Sequence, residues 1–170
     1  MMDRKQPELR ADRVPDPMAV AMSEARQAAE RAEVPVGAVV IGPDGRLLAS
    51  AGNRTESDSD PSAHAEMLAL RQAAAVLLNP RLPECDLYVT LEPCPMCAYA
   101  ISLFRIRRLI FGAYDPKGGG VEHGPRIFQS SSCHHRPEVI GGVREAESAE
   151  LLKSFFRRLR GERRAAMREI

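Results

Sequence analysis

A chain of 170 residues, 44% apolar and 28% charged, has the length and composition of one globular domain with a single core, not those of a disordered or fibrous chain. No stretch approaches the roughly 18 apolar residues that a membrane span requires, so no membrane association is expected. A net charge of +1 argues against a general polyanion binder, but residues 151–170 hold seven basic and two acidic residues, making this end +5 and the remainder −4.

Residues 1–15 are charged and proline-punctuated, with no apolar run for a signal peptide, and are expected to form a loose tail. One domain is then expected over 16–160, with a basic tail over 161–170. Asp16-Pro17 reads as a cap followed by proline in the first helical turn, and Met18, Met22, Ala25, Ala29 and Ala32 recur at the spacing of one helix face. The β-branched run Val34–Ile41, the turn Gly42-Pro43-Asp44-Gly45 and the run Arg46–Ala51 predict a hairpin. After a polar loop from Asn53 to Pro61, Ser62 is placed to cap a helix over Ala63 to about Leu78. A third strand over Asp86–Glu92, a helix from about Pro95 to Phe104 and a fourth strand over Arg108–Tyr114 follow, the two strands parallel because a helix joins them. Residues Lys117–Pro125 are glycine-rich and irregular. A last helix from about Glu145 to Arg160 sets Leu152, Phe155, Phe156 and Leu159 on one face. A hairpin followed by alternating strands and helices reads as an α/β layer structure with a mixed sheet.

Four cysteines without a secretory segment predict reduced thiols or metal ligands in a cytoplasmic protein, not a disulfide framework. Cys94-Pro-Met-Cys97 puts two sulfurs on one face of a helix's first turn, where the dipole and free N–H groups favour thiolates. By itself the motif fits a redox pair, half a structural zinc site or coincidence. His64-Ala-Glu66 also follows a polar loop at a helix start. Residues two apart share no helix face, but at a helix tip both can approach a site off its end. His64 alone is better explained as a satisfied, partly buried histidine. Together, one His and two Cys supply three ligands of the kinds zinc prefers and leave a fourth position for water, the pattern of catalytic zinc. Glu66, not used as a ligand, would be the proton acceptor beside it.

His64-Ala-Glu66 and Pro93-Cys94-Pro-Met-Cys97 match the H-x-E…P-C-x-x-C signature of the zinc-dependent nucleobase deaminases. Across about Val34 to Arg158 the chain most resembles the bacterial tRNA adenosine deaminases of the cytidine/deoxycytidylate deaminase superfamily. The resemblance is carried by Val34-Pro-Val-Gly-Ala-Val39, Gly52-Asn-Arg54, Ala63-His-Ala-Glu66, Leu87–Cys94, Phe111–Asp115 and Phe155-Phe-Arg157. It implies a three-layer α/β/α fold around a mixed, roughly five-stranded sheet, and one zinc per chain held by His64, Cys94 and Cys97. It also implies hydrolytic deamination of a wobble adenosine to inosine, with Glu66 moving the protons, and a homodimer acting on a tRNA anticodon stem-loop. Asn53 matches the position that holds the base edge, although it also reads as a turn residue before Arg54. Backbone N–H groups near Ala63 and Cys94 are further candidates for substrate contact. Asp115 matches a position near the substrate strand and equally suits a turn before Pro116. Phe156, Arg157 and Arg158 are the candidate RNA contacts, with at least one of Phe155 and Phe156 left to the core. Cys85 reads as an ordinary thiol, and the resemblance assigns no zinc to Cys133-His134-His135. Two other functions compete: a deaminase of a small free base, and a non-catalytic zinc-stabilised subunit. Thr90-Leu91-Glu92 stands where related small-base enzymes often carry another cysteine, and the retained Glu66 argues against the non-catalytic reading.

Overall fold

The computed structural model describes residues 13–167. Their elements run α1 (Pro17–Glu30), β1 (Gly37–Ile41), β2 (Leu47–Gly52), α2 (Ala65–Leu77), β3 (Asp86–Leu91), α3 (Pro95–Leu103), β4 (Arg108–Ala113), a 3-10 turn (Ile127–Gln129), β5 (Glu138–Ile140) and α4 (Glu145–Ala166). The strands form one five-stranded sheet in the order β2-β1-β3-β4-β5. β1 pairs antiparallel with β2 and β3, while β3–β4 and β4–β5 are parallel, so the expected mixed sheet is present.

Side-chain alternation divides the core into two layers. Ala38 and Val40, Leu87 and Val89, Leu109 and Phe111 turn to the larger cluster, shared with α2 and α3 residues such as Leu70 and Ile101. Val39, Ile41 and Ile110 point the other way, onto Met18 and Ala21 of α1. α4 packs on β4 and β3 and touches α1. The result is the three-layer α/β/α arrangement. Three side-chain contacts seal the α1–α4 layer: Ser148 donates to Met22 Sδ, Arg26 pairs with Glu147, and Arg144 pairs with Asp16.

Several boundaries differ from the sequence expectation for identifiable reasons. Asp16 caps α1, its carboxylate accepting from Ala19 N, but the buried stripe is Met18, Ala21, Met22, Ala25 and Ala28, and the helix ends before Ala32. Ala32 takes a left-handed φ of 61° to turn the chain into the sheet. Val34–Val36 form a turn, Val36 N donating to Val34 O, so the first strand starts at Gly37. Ser62 does not cap α2. Its N–H and hydroxyl both donate to Asp60, and the cap position is His64. β5, only three residues, is too short to show a period and no strand was expected there. α4 runs past Arg160 to Ala166 because Arg, Glu and Ala continue the helix and Arg158 pairs with Glu162 one turn on. Of the expected N-terminal tail, residues 1–12 lie outside the described residues; Val14 N donates to Gly45 O and packs on the smaller core cluster. Residues 168–170 of the expected basic tail also lie outside them. Among the described residues no helix is long and apolar enough to cross a membrane.

Candidate active site

The sheet delivers its functional residues to the carboxyl ends of the parallel pair β3 and β4, where open α/β sheets usually bind ligands. Beyond β3, Pro93 stops the strand and Cys94 becomes the cap residue of α3, with Pro95 in the first turn and Cys97 behind it. Across the cleft, His64 is the cap residue of α2 and Glu66 lies in its first turn. Two helix tips therefore face one point. The ligand atoms of His64, Cys94 and Cys97 lie within 4.8 Å of one another, and His64 Nδ1 is 3.6 Å from Cys94 Sγ and 3.5 Å from Cys97 Sγ. One imidazole and two sulfurs at this spacing form a donor set suited to a zinc ion with an open fourth position. The Cys97 thiol donates to Cys94 and draws Cys94 down to about 4 as a thiolate, while that same bond and burial push Cys97 up. Such a pair is already biased towards the anionic sulfur that a metal binds.

Glu66 is buried beside this cluster. Burial pushes its carboxyl up to about 7, opposed by its own N–H and the nearby His64 imidazole. Asn53 completes the tip of α2 in an unexpected way. His64 offers no side-chain cap, and Asn53 Oδ1 accepts from Ala65 N at 2.8 Å. That bond fixes the amide's orientation and leaves its NH2 as the group offered to the cavity that Asn53 lines.

The cavity has a volume of about 250 Å³ and is lined by His64, Glu66 and Cys94, by Asn53 and Thr55 on one side, and by Glu92, Asp115 and Gly118 on the other. Through Asp115 and Gly118 it adjoins a groove of about 780 Å³ along α4, bordered by Lys117, Lys153, Phe156, Arg157 and Arg160. Phe156 is exposed there, whereas Phe155 is buried. Arg158 lies on another face: its guanidinium donates to Ala29 O at the end of α1 and sits 5.7 Å over the Phe155 ring. Adjacent helix positions diverge by about 100°, so Arg157 and Arg158 cannot face the same groove. Ala63 does not line the cavity, and its N–H donates to Asp60 O. Asp115 lines both spaces, but its Oδ1 accepts from Lys117 N and Gly118 N, which is the turn role.

The wall near Asp115 is organised by Glu92. Its carboxylate accepts from the backbone N–H groups of Asp115, Val121, Glu122 and His123 and from the His123 ring. Burial raises its pKa, but these donors outweigh burial and hold it below the ordinary range. Gly119 and Gly120 are required by this packing: an added Cβ would lie 2.5 Å from Glu92 Oε1 or 2.6 Å from Pro95 N. Sequence reading missed Thr55, Glu92, Lys153 and Arg160. The available signals were the glycine run, which marks a close approach, and the i, i+4 and i, i+7 spacing from Lys153 to Arg157 and Arg160. Cys85 is buried with its thiol pKa raised to about 11 by burial, an inert thiol as expected. Cys133, His134 and His135 do not converge. Cys133 Sγ rests on Ser102 Oγ and His135 O, and His135 Nε2 donates to Ile106 O.

The profile of the cytidine and deoxycytidylate deaminase zinc-binding region matches residues 15–113. The tRNA-specific adenosine deaminase of Agrobacterium fabrum is 57% identical over 143 residues, 84% of this chain and 93% of that protein. A structure from work on A-to-I editing by tRNA:A34 deaminases at the wobble position of transfer RNA superposes with a TM-score of 0.78 and 57% identity, covering 80% of this chain and 98% of that one. The guanine deaminase of Nitrosomonas europaea shares the fold, with a TM-score of 0.73 at 23% identity over 86% of each chain.

Proposed function

Since the chain belongs to the cytidine and deoxycytidylate deaminase family, and within it to the group of the tRNA-specific adenosine deaminases, we propose that it deaminates the wobble adenosine of a tRNA anticodon to inosine. The observation that carries this reading is the junction of the two spaces. A cavity of about 250 Å³ has room for one base, and it opens into a groove of about 780 Å³ edged by cationic side chains. A free base needs only the first; a base flipped out of an RNA loop needs both. Phe156 offers a ring on which a neighbouring base stacks, while Lys153, Arg157 and Arg160 face phosphates.

His64, Cys94 and Cys97 hold one zinc ion per chain. Bound there, zinc acts as a Lewis acid that acidifies water at neutral pH. Glu66, beside the cluster and not needed as a ligand, takes one proton from water and delivers it to the ring nitrogen as the oxygen joins the ring carbon. It then takes the remaining hydroxyl proton and passes it to the amine as the C–N bond breaks and the carbonyl forms. The Asn53 NH2 group, oriented by its bond to α2, donates to the base edge and fixes which face of the ring meets the cluster. The chain works in the cytoplasm as a homodimer. Its support is an apolar face on α3, where Met96, Tyr99 and Leu103 are exposed.

Incubation with anticodon stem-loops and, separately, with adenine, guanine and cytosine tests the substrate. Inosine in the stem-loop at the first anticodon position is expected. Ammonia from a free base with no inosine in RNA would transfer the reading to a small-base deaminase.

A further inference from the structure

Glu33 is the most deeply buried carboxylate among the described residues outside the proposed chemistry, with 0% exposure. It sits at the junction of α1 and β1, its own N–H bonded to Ala28 O. Its carboxylate takes four bonds from one short stretch: Thr55 Oγ1 at 3.1 Å, Glu56 N at 3.2 Å, Ser57 N at 2.7 Å and Ser57 Oγ at 2.8 Å. Burial alone would raise its pKa, but these donors outweigh it and keep the group ionised. No cation pairs with it among the described residues. An isolated buried carboxylate is expensive, so a turn that wraps it with two N–H and two O–H groups is strongly fixed in shape.

The segments it joins are both walls of the catalytic cavity. Val34 and Val36 follow Glu33 and line the cavity; Thr55 lines it two residues after Asn53. The same wall is continued to α2 by Arg54 N donating to Ala63 O and by Asn53 Oδ1 accepting from Ala65 N. Remove the carboxylate and the 55–57 turn loses its anchor, while the contacts to α2 remain.

We infer that Glu33 is a positioning residue for the deamination: by anchoring the 55–57 turn to the 34–36 segment it sets the wall against which the reacting base is held. This rests on the deaminase reading proposed above. A base displaced by about an ångström from its reactive geometry loses up to about 10²-fold in rate. RNA affinity, which depends on the cationic groove elsewhere, should change little.

The test compares wild type, Glu33→Gln, Ser57→Ala and their double variant, each with its zinc content and folded fraction measured. Glu33→Gln keeps the size but sets an NH2 group against N–H donors. It is expected to lower kcat on the stem-loop by about 10–100-fold per folded, zinc-loaded chain, with KM within about threefold. Amide exchange of Glu56 and Ser57 should rise, without change in α2. Ser57→Ala, which leaves the carboxylate two backbone donors, should cost only a few-fold, and the double variant should be no worse than Glu33→Gln because both act through one turn. Unchanged kcat for Glu33→Gln, or fully additive losses, would overturn the inference. If Glu33→Gln does not fold, Ser57→Ala with faster exchange at 56–57 and undiminished kcat overturns it equally. A wild-type enzyme that leaves every stem-loop unedited overturns the function itself, and that result is read without any variant.

Discussion

Glu66 and Glu92 line the same cavity and are nearly equally buried, at 4% and 2% exposure, yet the fold treats them in opposite ways. Glu92 has a loop folded around it, with five donors on its two oxygens. Glu66 has no such loop; it faces His64 and the two sulfurs, and burial raises its pKa where donors lower that of Glu92. The same division runs through the whole site. At the tips of α2 and α3, side chains are left with unused bonding capacity. In the walls at 55–57 and 115–123, carboxylates are saturated by backbone N–H groups. A saturated buried carboxylate is part of the scaffold, while one with few donors beside a metal site can move protons.

Replacing each carboxylate tests that division, and the largest effect is expected at the helix tips. Glu66→Gln should retain zinc and melt no lower than wild type, because a poorly compensated buried acid is removed, but lose about 10²–10⁴ in kcat. Cys94→Ala serves as the contrast, losing zinc and activity together. Metal analysis beside single-turnover rates separates the two, and loss of zinc from Glu66→Gln would make that carboxylate a ligand.

The scaffold carboxylates should reverse this pattern. Glu92→Ala strands at least four backbone N–H groups, a loss on the order of 3–5 kcal/mol, visible as a melting temperature lower by roughly 10 °C. Asp86, at the far end of β3, supplies the pH form of the test. Burial raises its pKa, but bonds from Arg108 and Arg107 outweigh burial and hold it low. A depressed folded pKa gives stability that is present above the unfolded value of about 4 and is lost as pH falls through the folded value. Asp86→Asn should therefore lower stability at pH 7 and flatten its decline below about pH 4, without changing kcat per folded chain. An unaltered acid limb in denaturant titrations would remove Asp86 from that role.

Where a residue's place in the fold depends on local spacing, the sequence already disclosed it. His64, Cys94 and Cys97 stand at two helix tips that turn and proline signals mark, and the alternation in β1, β3 and β4 assigns both faces of the sheet. What escaped was built over distance. Asn53 caps α2 from twelve residues away, and Glu33 holds a turn more than twenty residues on. β5 gains its strand character from β4, since three residues have no period of their own. Arg157 and Arg158 looked equivalent because sequence adjacency hides the rotation between neighbouring helix positions.

These two arginines give the smallest effect and the finest test of the division between bonded and available groups. Arg158 is bound to the last turn of α1 and stacked on Phe155, so it belongs to the scaffold. Arg157 pairs with Glu150, an exposed contact that competes with water, and it borders the groove. An RNA phosphate can displace an exposed carboxylate at little cost, because such pairs contribute between nothing and about 1 kcal/mol. If Arg157 neutralises one phosphate of a single-stranded loop, it releases condensed counterions, and removing it should reduce the slope of log affinity against log salt by about 0.7. Arg157→Gln should then weaken stem-loop binding several-fold at low salt and hardly at all at high salt, with zinc and melting temperature unchanged. Arg158→Gln should do the reverse, keeping the wild-type salt slope and lowering the melting temperature by a few degrees through the lost helix-end contact. The measurement is kcat/KM on the anticodon stem-loop at several salt concentrations, beside thermal melts, for each single variant. If Arg158→Gln alone flattens the salt slope, the groove does not mark the RNA path and the phosphate backbone runs over the α1–α4 face instead.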